Sequence, residues 1–181
     1  MSLLTIRDAI AAAIKPSLIG IKTCEGHAGR FDLNEIKRIA TKAPALYLSI
    51  SQIENINDDG NEINATIHWV AFIITRDIPG TERDVSALAY VQALISLLPG
   101  NNWALDETET TPKKINAKNL YTANIDKKGI AMWAVSWSQR MMIGTELDLT
   151  ILNNFVTYHA EHSLVEGPDE PAAIDNQNIP Q

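Results

Sequence analysis

Apolar and polar positions along the chain fall into two rhythms. Leu3, Ile6, Ile10, Ala13 and Ile14 recur three and four residues apart, which predicts a helix from Leu3 to Lys15 stopped by Pro16. Asp32 and Glu35 stand at capping-box spacing ahead of Leu33, Ile36, Ile39, Ala40 and Ala43. They predict a second helix starting at Asp32 and ended by Pro44. Lys37, Arg38 and Lys42 form its polar side, late enough to complement the helix dipole. Thr81 to Leu98 predicts a third helix. Thr81 and Asp84 have cap spacing, and Ala87, Leu88, Val91, Leu94, Ile95 and Leu98 make a broad apolar stripe facing inward.

The second rhythm has period two. Leu46, Leu48 and Ile50 alternate with Tyr47, Ser49 and Ser51, then a turn cluster follows at Asn57-Asp58-Asp59-Gly60-Asn61. The return strand runs from about Glu62 to Arg76, with Ile63, Ala65, Ile67, Trp69, Ala71 and Ile73 on one face. Its other face starts polar at Asn64, Thr66 and His68 and turns apolar at Val70, Phe72 and Ile74. The far half of this strand must therefore be covered on both sides. A second hairpin is predicted from Lys114–Ile125 and Ile130–Met141, joined by the turn Asp126-Lys127-Lys128-Gly129. Ala131, Trp133, Val135 and Trp137 share a face of its second strand. Ser17 to Phe31 and the acidic, Thr-rich stretch Trp103 to Pro112 read as irregular, the latter as an exposed loop. Asp148 to Leu164 leans to a strand, because Phe155, Thr157 and His159 alternate with Val156 and Tyr158. Together these elements predict an α+β fold: an antiparallel or mixed sheet of two hairpins, with about three helices packed mainly on one face.

Composition sharpens this picture at the C-terminal end. Residues 166–181 hold Glu166, Asp169, Glu170 and Asp175 and no Lys or Arg, so they account for four of the seven net negative charges. With few apolar residues, they predict a disordered acidic tail after a single domain spanning 1–165. The slightly acidic remainder argues against nucleic acid, whose backbone needs clustered Lys and Arg, and against anionic membrane surfaces. No stretch approaches the roughly 20 apolar residues of a membrane span. No secretory signal pattern precedes Asp8. Cys24, the single cysteine, excludes an internal disulfide and a cysteine-based zinc cluster.

Candidate chemistry is sparse. His159 and His162, with Glu161 between them, would share one metal only on a helix, and no third ligand is placed by the sequence. Glu35-Ile36-Lys37 has the E-x-K form of a metal-dependent nuclease motif, but it sits in a capped amphipathic helix rather than on a strand. A small metal-dependent hydrolase or nuclease is the alternative these residues leave open. Cys24 lies three residues before His27 in a glycine-flanked loop, without the ordered base a reactive thiol wants. His68 completes the four histidines. No phosphate-cradling loop or nucleophile elbow occurs. The expectation is therefore a protein without catalytic, cofactor or metal residues. Trp69, Trp133 and Trp137 read most simply as core, but together with Phe72 they are also the candidates for a subunit interface, because aromatic side chains are enriched where one chain covers another's sheet; the sequence does not decide between the two.

Several strings resemble a family of small proteins from Mu-like phages and prophages. They are Lys22-Thr23-Cys24-Glu25, Gly29-Arg30-Phe31-Asp32 continuing from Leu33 to Pro44, and Thr75-Arg76-Asp77. Leu98-Pro99-Gly100-Asn101-Asn102-Trp103, Asn119-Leu120-Tyr121, Asp126-Lys127-Lys128-Gly129 and Trp133 to Gln139 complete the set. What the resemblance implies is a tail-terminator or tail-completion protein. Such proteins form a homo-oligomeric ring, commonly a hexamer, that caps the tail tube and offers a surface to the head connector. The implied partners are tail tube, sheath and head-completion proteins. The implied location is the virion, with host cytoplasm during assembly. The implied packing is heterologous, closed by rotation.

Overall fold

The computed structural model describes residues 1–31, 33–58, 60, 62–120, 122–144, 157–162 and 173–178. The chain divides into two units, Met1–Glu146 and Leu147–Gln181. In the first, helix α1 (Leu3–Ile14) and a 3-10 turn (Lys15–Ser17) precede strand β1 (Thr23–Gly26) and helix α2 (Leu33–Ala40). Strands β2 (Ala45–Asp58) and β3 (Ile63–Arg76) follow, then α3 (Arg83–Leu97), β4 (Lys113–Asn119), the single turn α4 (Ala123–Asp126) and β5 (Ile130–Ile143). The five strands form one mixed sheet in the order β1-β2-β3-β5-β4, parallel only between β1 and β2. This is the α+β architecture that the alternation predicts.

The two faces of β3 explain the layering. Successive side chains point to opposite sides, and Leu46, Leu48, Ile67, Trp69, Ala71, Ile73, Val135 and Trp137 converge on one face. There they pack against Ile6, Ile10 and Ile14 of α1 and Val91 and Leu94 of α3. Tyr47, Ile74 and Met132 belong to the other face, which Ile36 and Ile39 of α2 and Ile125 of α4 cover. The double cover predicted for the far half of β3 is thus supplied by helices on both sides. Each fully buried Ile or Leu contributes about 1.5–3 kcal/mol of transfer free energy, so the two-sided half is the most strongly held part of the sheet.

Several elements differ from the sequence reading. Residues 23–26 form a parallel edge strand rather than irregular chain, placed by Lys22 N–H donating to Pro44 O (2.9 Å) and His27 N–H to Leu48 O (2.8 Å). β4 ends at Asn119, and the turn before β5 contains the helical turn α4. Its Ile125 fills the α2-side core, which a tight hairpin would leave open. In α1 the inward residue is Ala11, not the exposed Ala13. Ser2 caps α1, its Oγ accepting from Thr5 N–H at 3.2 Å. At α3 the cap is not the Thr81/Asp84 pair: Asp77 Oδ1 accepts from Arg83 N–H at 3.0 Å. Asp32, the predicted cap of α2, and most of the 148–164 stretch lie outside the described residues. Within that stretch Thr157–His162 is a strand, β6, as its alternation suggests.

The second unit is described only by β6 and its antiparallel partner β7 (Ala173–Asn178), in the register Thr157↔Asn178 to His162↔Ala173. β7 falls within the acidic stretch 166–181. Among the described residues no helix is long and apolar enough to cross a membrane.

Trp103 shows how a loop joins the core. The stretch from Trp103 reads as an exposed loop, yet Trp103 is buried and its ring lies 6.0 Å from that of Trp137. Trp103 and Ala104 both take left-handed backbone (φ 62° and 53°), which Asn101 and Asn102 support by accepting their N–H groups on side-chain oxygens. The Trp103 indole N–H donates to Gln139 Oε1 (2.8 Å), and Gln139 Nε2 donates to Asn101 O (3.4 Å). Gln139 thus ties the loop to β5 from inside the core. Gln139→Leu leaves that indole N–H without an acceptor and should cost about 1–3 kcal/mol in chemical denaturation. Adding Trp103→Phe should recover part of the Gln139→Leu loss, because the orphaned donor is then gone.

Candidate interaction surfaces

The densest polar cluster lies at the start of α2. Gly29 N–H donates to His27 Nδ1 at 3.0 Å, which leaves the imidazole proton on Nε2, where it donates to Glu35 Oε1 at 2.7 Å. The left-handed backbone of Gly29 (φ 80°) makes this loop possible, and a Cβ there would stand 2.5 Å from Ser49 Oγ. Glu35 also accepts two guanidinium N–H bonds from Arg38, from Nε and Nη2. These bonds, Arg38's first and His27's second, hold the Glu35 carboxyl down to about 2. His27 stacks on Phe31 (4.6 Å, 16°), Phe31 meets Phe72 (4.3 Å), and the Tyr47 ring meets His27 edge-on (5.4 Å). The Tyr47 hydroxyl is buried without a hydrogen-bond partner among the described residues, and burial pushes it up to about 12. Histidine, carboxylate and aromatic rings here lock α2 and the 27–31 loop onto the sheet.

The other candidate groups are dispersed. Glu35 and Lys37 sit on α2, and Glu35 is engaged by Arg38 and His27 rather than turned toward a second acid. Cys24 Sγ donates to Ala11 O of α1 (3.1 Å), away from the His27–Glu35 bond, and burial pushes its thiol up to about 11. His68 pairs with Glu54 across β2 and β3 (2.7 Å). Beside it Arg140 binds Glu109 (2.8 Å) and Asn55 O (3.2 Å). His159 and His162 lie on strand β6, not on the helix that would bring both onto one ion. Among the described residues no three His, Cys, Asp or Glu side chains are grouped to hold a metal ion.

The four aromatic candidates do not form one surface. Trp69 (0% exposed) and Trp137 (1%) are enclosed between the sheet and helices α1 and α3. Trp133 packs at the margin of the same core and keeps part of its surface. Phe72 lies on the opposite face, against Phe31.

A different surface is apolar and open. Along α3, Ala87, Val91 and Leu94 face the core, whereas Leu88, assigned inward by the sequence, is 52% exposed beside Val85 at 59%. Ile78 and Ile19 are exposed too, Ile19 at 92%. Between α3 and the 3-10 turn lies a groove of about 370 Å³ lined by Leu18, Ile19, Val85, Ala89, Tyr90 and Ala93 among others. Tyr90 Oη donates to Ile19 O (3.2 Å) across it. The signal was present in the sequence: α3 has more apolar positions than one face can bury.

The described residues thus define a two-faced α+β protein whose polar clusters hold its own elements together and whose α3 is apolar on both sides. The chain belongs to the bacteriophage Mu Gp37 family, whose model matches residues 2–142. Among solved structures, it is similar to a chain of the virion of a native gene transfer agent particle, with 16% identity and a TM-score of 0.43, covering 78% of this chain and 99% of that one. No curated protein matches it.

Two outcomes test the local chemistry. A carboxyl held at low pKa stabilises the fold at neutral pH, and that stabilisation is lost as pH falls through the ordinary carboxylate range toward about 2. Glu35→Gln should therefore lower the melting temperature at pH 7 and flatten its decline below pH 4.5, read by thermal melts across pH. Cys24 in the folded chain should react with iodoacetamide at pH 8 at least tenfold more slowly than in urea, because its thiolate fraction is suppressed.

Proposed function

We propose that this chain is a structural protein of the phage particle, a tail-completion protein that assembles as a ring on the tail tube and joins tail to head. Membership of the Mu Gp37 family over residues 2–142 is the observation that carries this reading. The arrangement of the first unit supports it. His27, His68, the Cys24 thiol and the carboxylates of Glu35 and Glu54 are engaged in internal hydrogen bonds, while Val85, Leu88, Ile78 and Ile19 leave apolar side chains in water. Contiguous exposed apolar surface marks partner contacts in soluble proteins. In a ring, one flank of each subunit meets a different flank of its neighbour, and the closed rotation buries both. Of the four aromatic candidates, Trp133 and Phe72 keep the surface such a contact could use. The particle is the place of action, with assembly in the host cytoplasm and with tube, sheath and head-completion proteins as partners.

Sedimentation velocity across a concentration series tests the self-assembly. The wild-type chain should form a discrete heavier species, and Val85→Glu/Leu88→Glu should raise the concentration needed for it at least tenfold while keeping the monomer's thermal melt. A wild-type chain that stays monomeric at the highest concentrations, with purified tails added, would count against a ring.

A further inference from the structure

A second recess lies on the far side of α2 from the His27 cluster, where three elements meet. It measures about 350 Å³ and is lined by Lys37, Ala40 and Thr41 of the α2 end, Arg76 and Asp77 after β3, and Lys128, Gly129 and Ile130 at the start of β5. Three cations line it. None of Lys37, Arg76 and Lys128 has an ion-pair partner among the described residues, whereas Arg7, Arg38, Lys42, Arg83 and Arg140 each have one. Asp77, the acid in the recess, is already committed: Oδ1 accepts from Arg83 N–H and Oδ2 from the Arg83 guanidinium at 3.4 Å. Arg83 itself is drawn away toward Asp126. Among the described residues, Lys37, Arg76 and Lys128 thus have no acidic partner of their own, in a chain with net charge −7.

We propose that this recess is an anion-binding site that takes carboxylate side chains from an acidic segment of a partner protein. Three cations lining one concavity repel one another, and an anion bound among them relieves that repulsion. Ala40 and Ile130 give the recess an apolar wall against which the stem of an Asp or Glu can lie. Its volume fits a few side chains. It does not provide the extended basic stripe that a nucleic-acid backbone requires, and the net charge of the chain opposes one. The site stands on the geometry of this recess and is independent of ring formation.

The test uses the full-length chain and a fluorescent ten-residue peptide carrying four Asp/Glu residues, read by anisotropy in low salt. The peptide should bind saturably, and binding should fall at least tenfold when salt is raised from 20 to about 200 mM, as charge-based association does. An Asn/Gln version of the peptide should not bind. Arg76→Gln should weaken binding about threefold or more, and Lys37→Glu/Arg76→Glu/Lys128→Glu should abolish it. Circular dichroism melts confirm that the variants fold. If the triple variant unfolds, Arg76→Gln alone decides. No saturable binding, unchanged binding by Arg76→Gln, or a single-stranded oligonucleotide that binds as tightly as the peptide would each overturn the proposal.

Discussion

Strand β3 is hydrogen-bonded along its length to β5 on one side and to β2 on the other, and the rest of the first unit is arranged around that double pairing. Its register sets Trp69 opposite Trp137, both fully buried on the α1–α3 face, and Ile73 opposite Trp133 at the margin of that core. On the other face the change from Thr66 and His68 to Phe72 and Ile74 decides where α2 must lie. A fully apolar half-strand needs cover, and a half-strand of polar residues does not. The His68–Glu54 pair and Arg140 occupy the half that α2 leaves uncovered. One strand thereby fixes the depth of the core, the side taken by each helix and the extent of polar sheet facing water.

This division bears on function through what it leaves outside. The His27–Glu35–Arg38 cluster has the composition of catalytic chemistry, but its bonds are structural: Gly29 to His27 shapes the 27–31 loop, Arg38 to Glu35 lies within α2, and His27 to Glu35 joins the two. Cys24 is held protonated against the α1 backbone. The features without an internal role are surfaces: the apolar flank of α3 and the cationic recess beyond α2.

Much of this architecture is legible in the sequence because it rests on local rhythm. The switch at Val70 is visible as a change in alternation, and the double cover of β3 follows from it. Pro16 and Pro44 follow α1 and α2 because proline cannot continue a helix, and Pro79-Gly80 makes the turn after β3. What escapes is set by tertiary partners. Thr23–Gly26 becomes a strand only through its parallel pairing with β2, and four residues carry too little periodicity to announce it. Leu88 matches the inward residues of α3 in type, and only the position of the sheet turns it outward. Gln139 continues the face of Trp137, and its core role depends on a distant loop folding back with Trp103. The cationic recess was hidden for the same reason: Lys37, Arg76 and Lys128 are far apart in the chain and converge only in the fold.

The proposed role of the chain is to join other chains into a particle. Deleting its gene from an inducible lysogen, and examining the lysate by electron microscopy, tests this directly. A tail-completion role predicts separate heads and tails, with tubes of irregular length, restored to joined particles by the gene supplied in trans. Joined, normal-length, infectious particles in the deletion strain would contradict it.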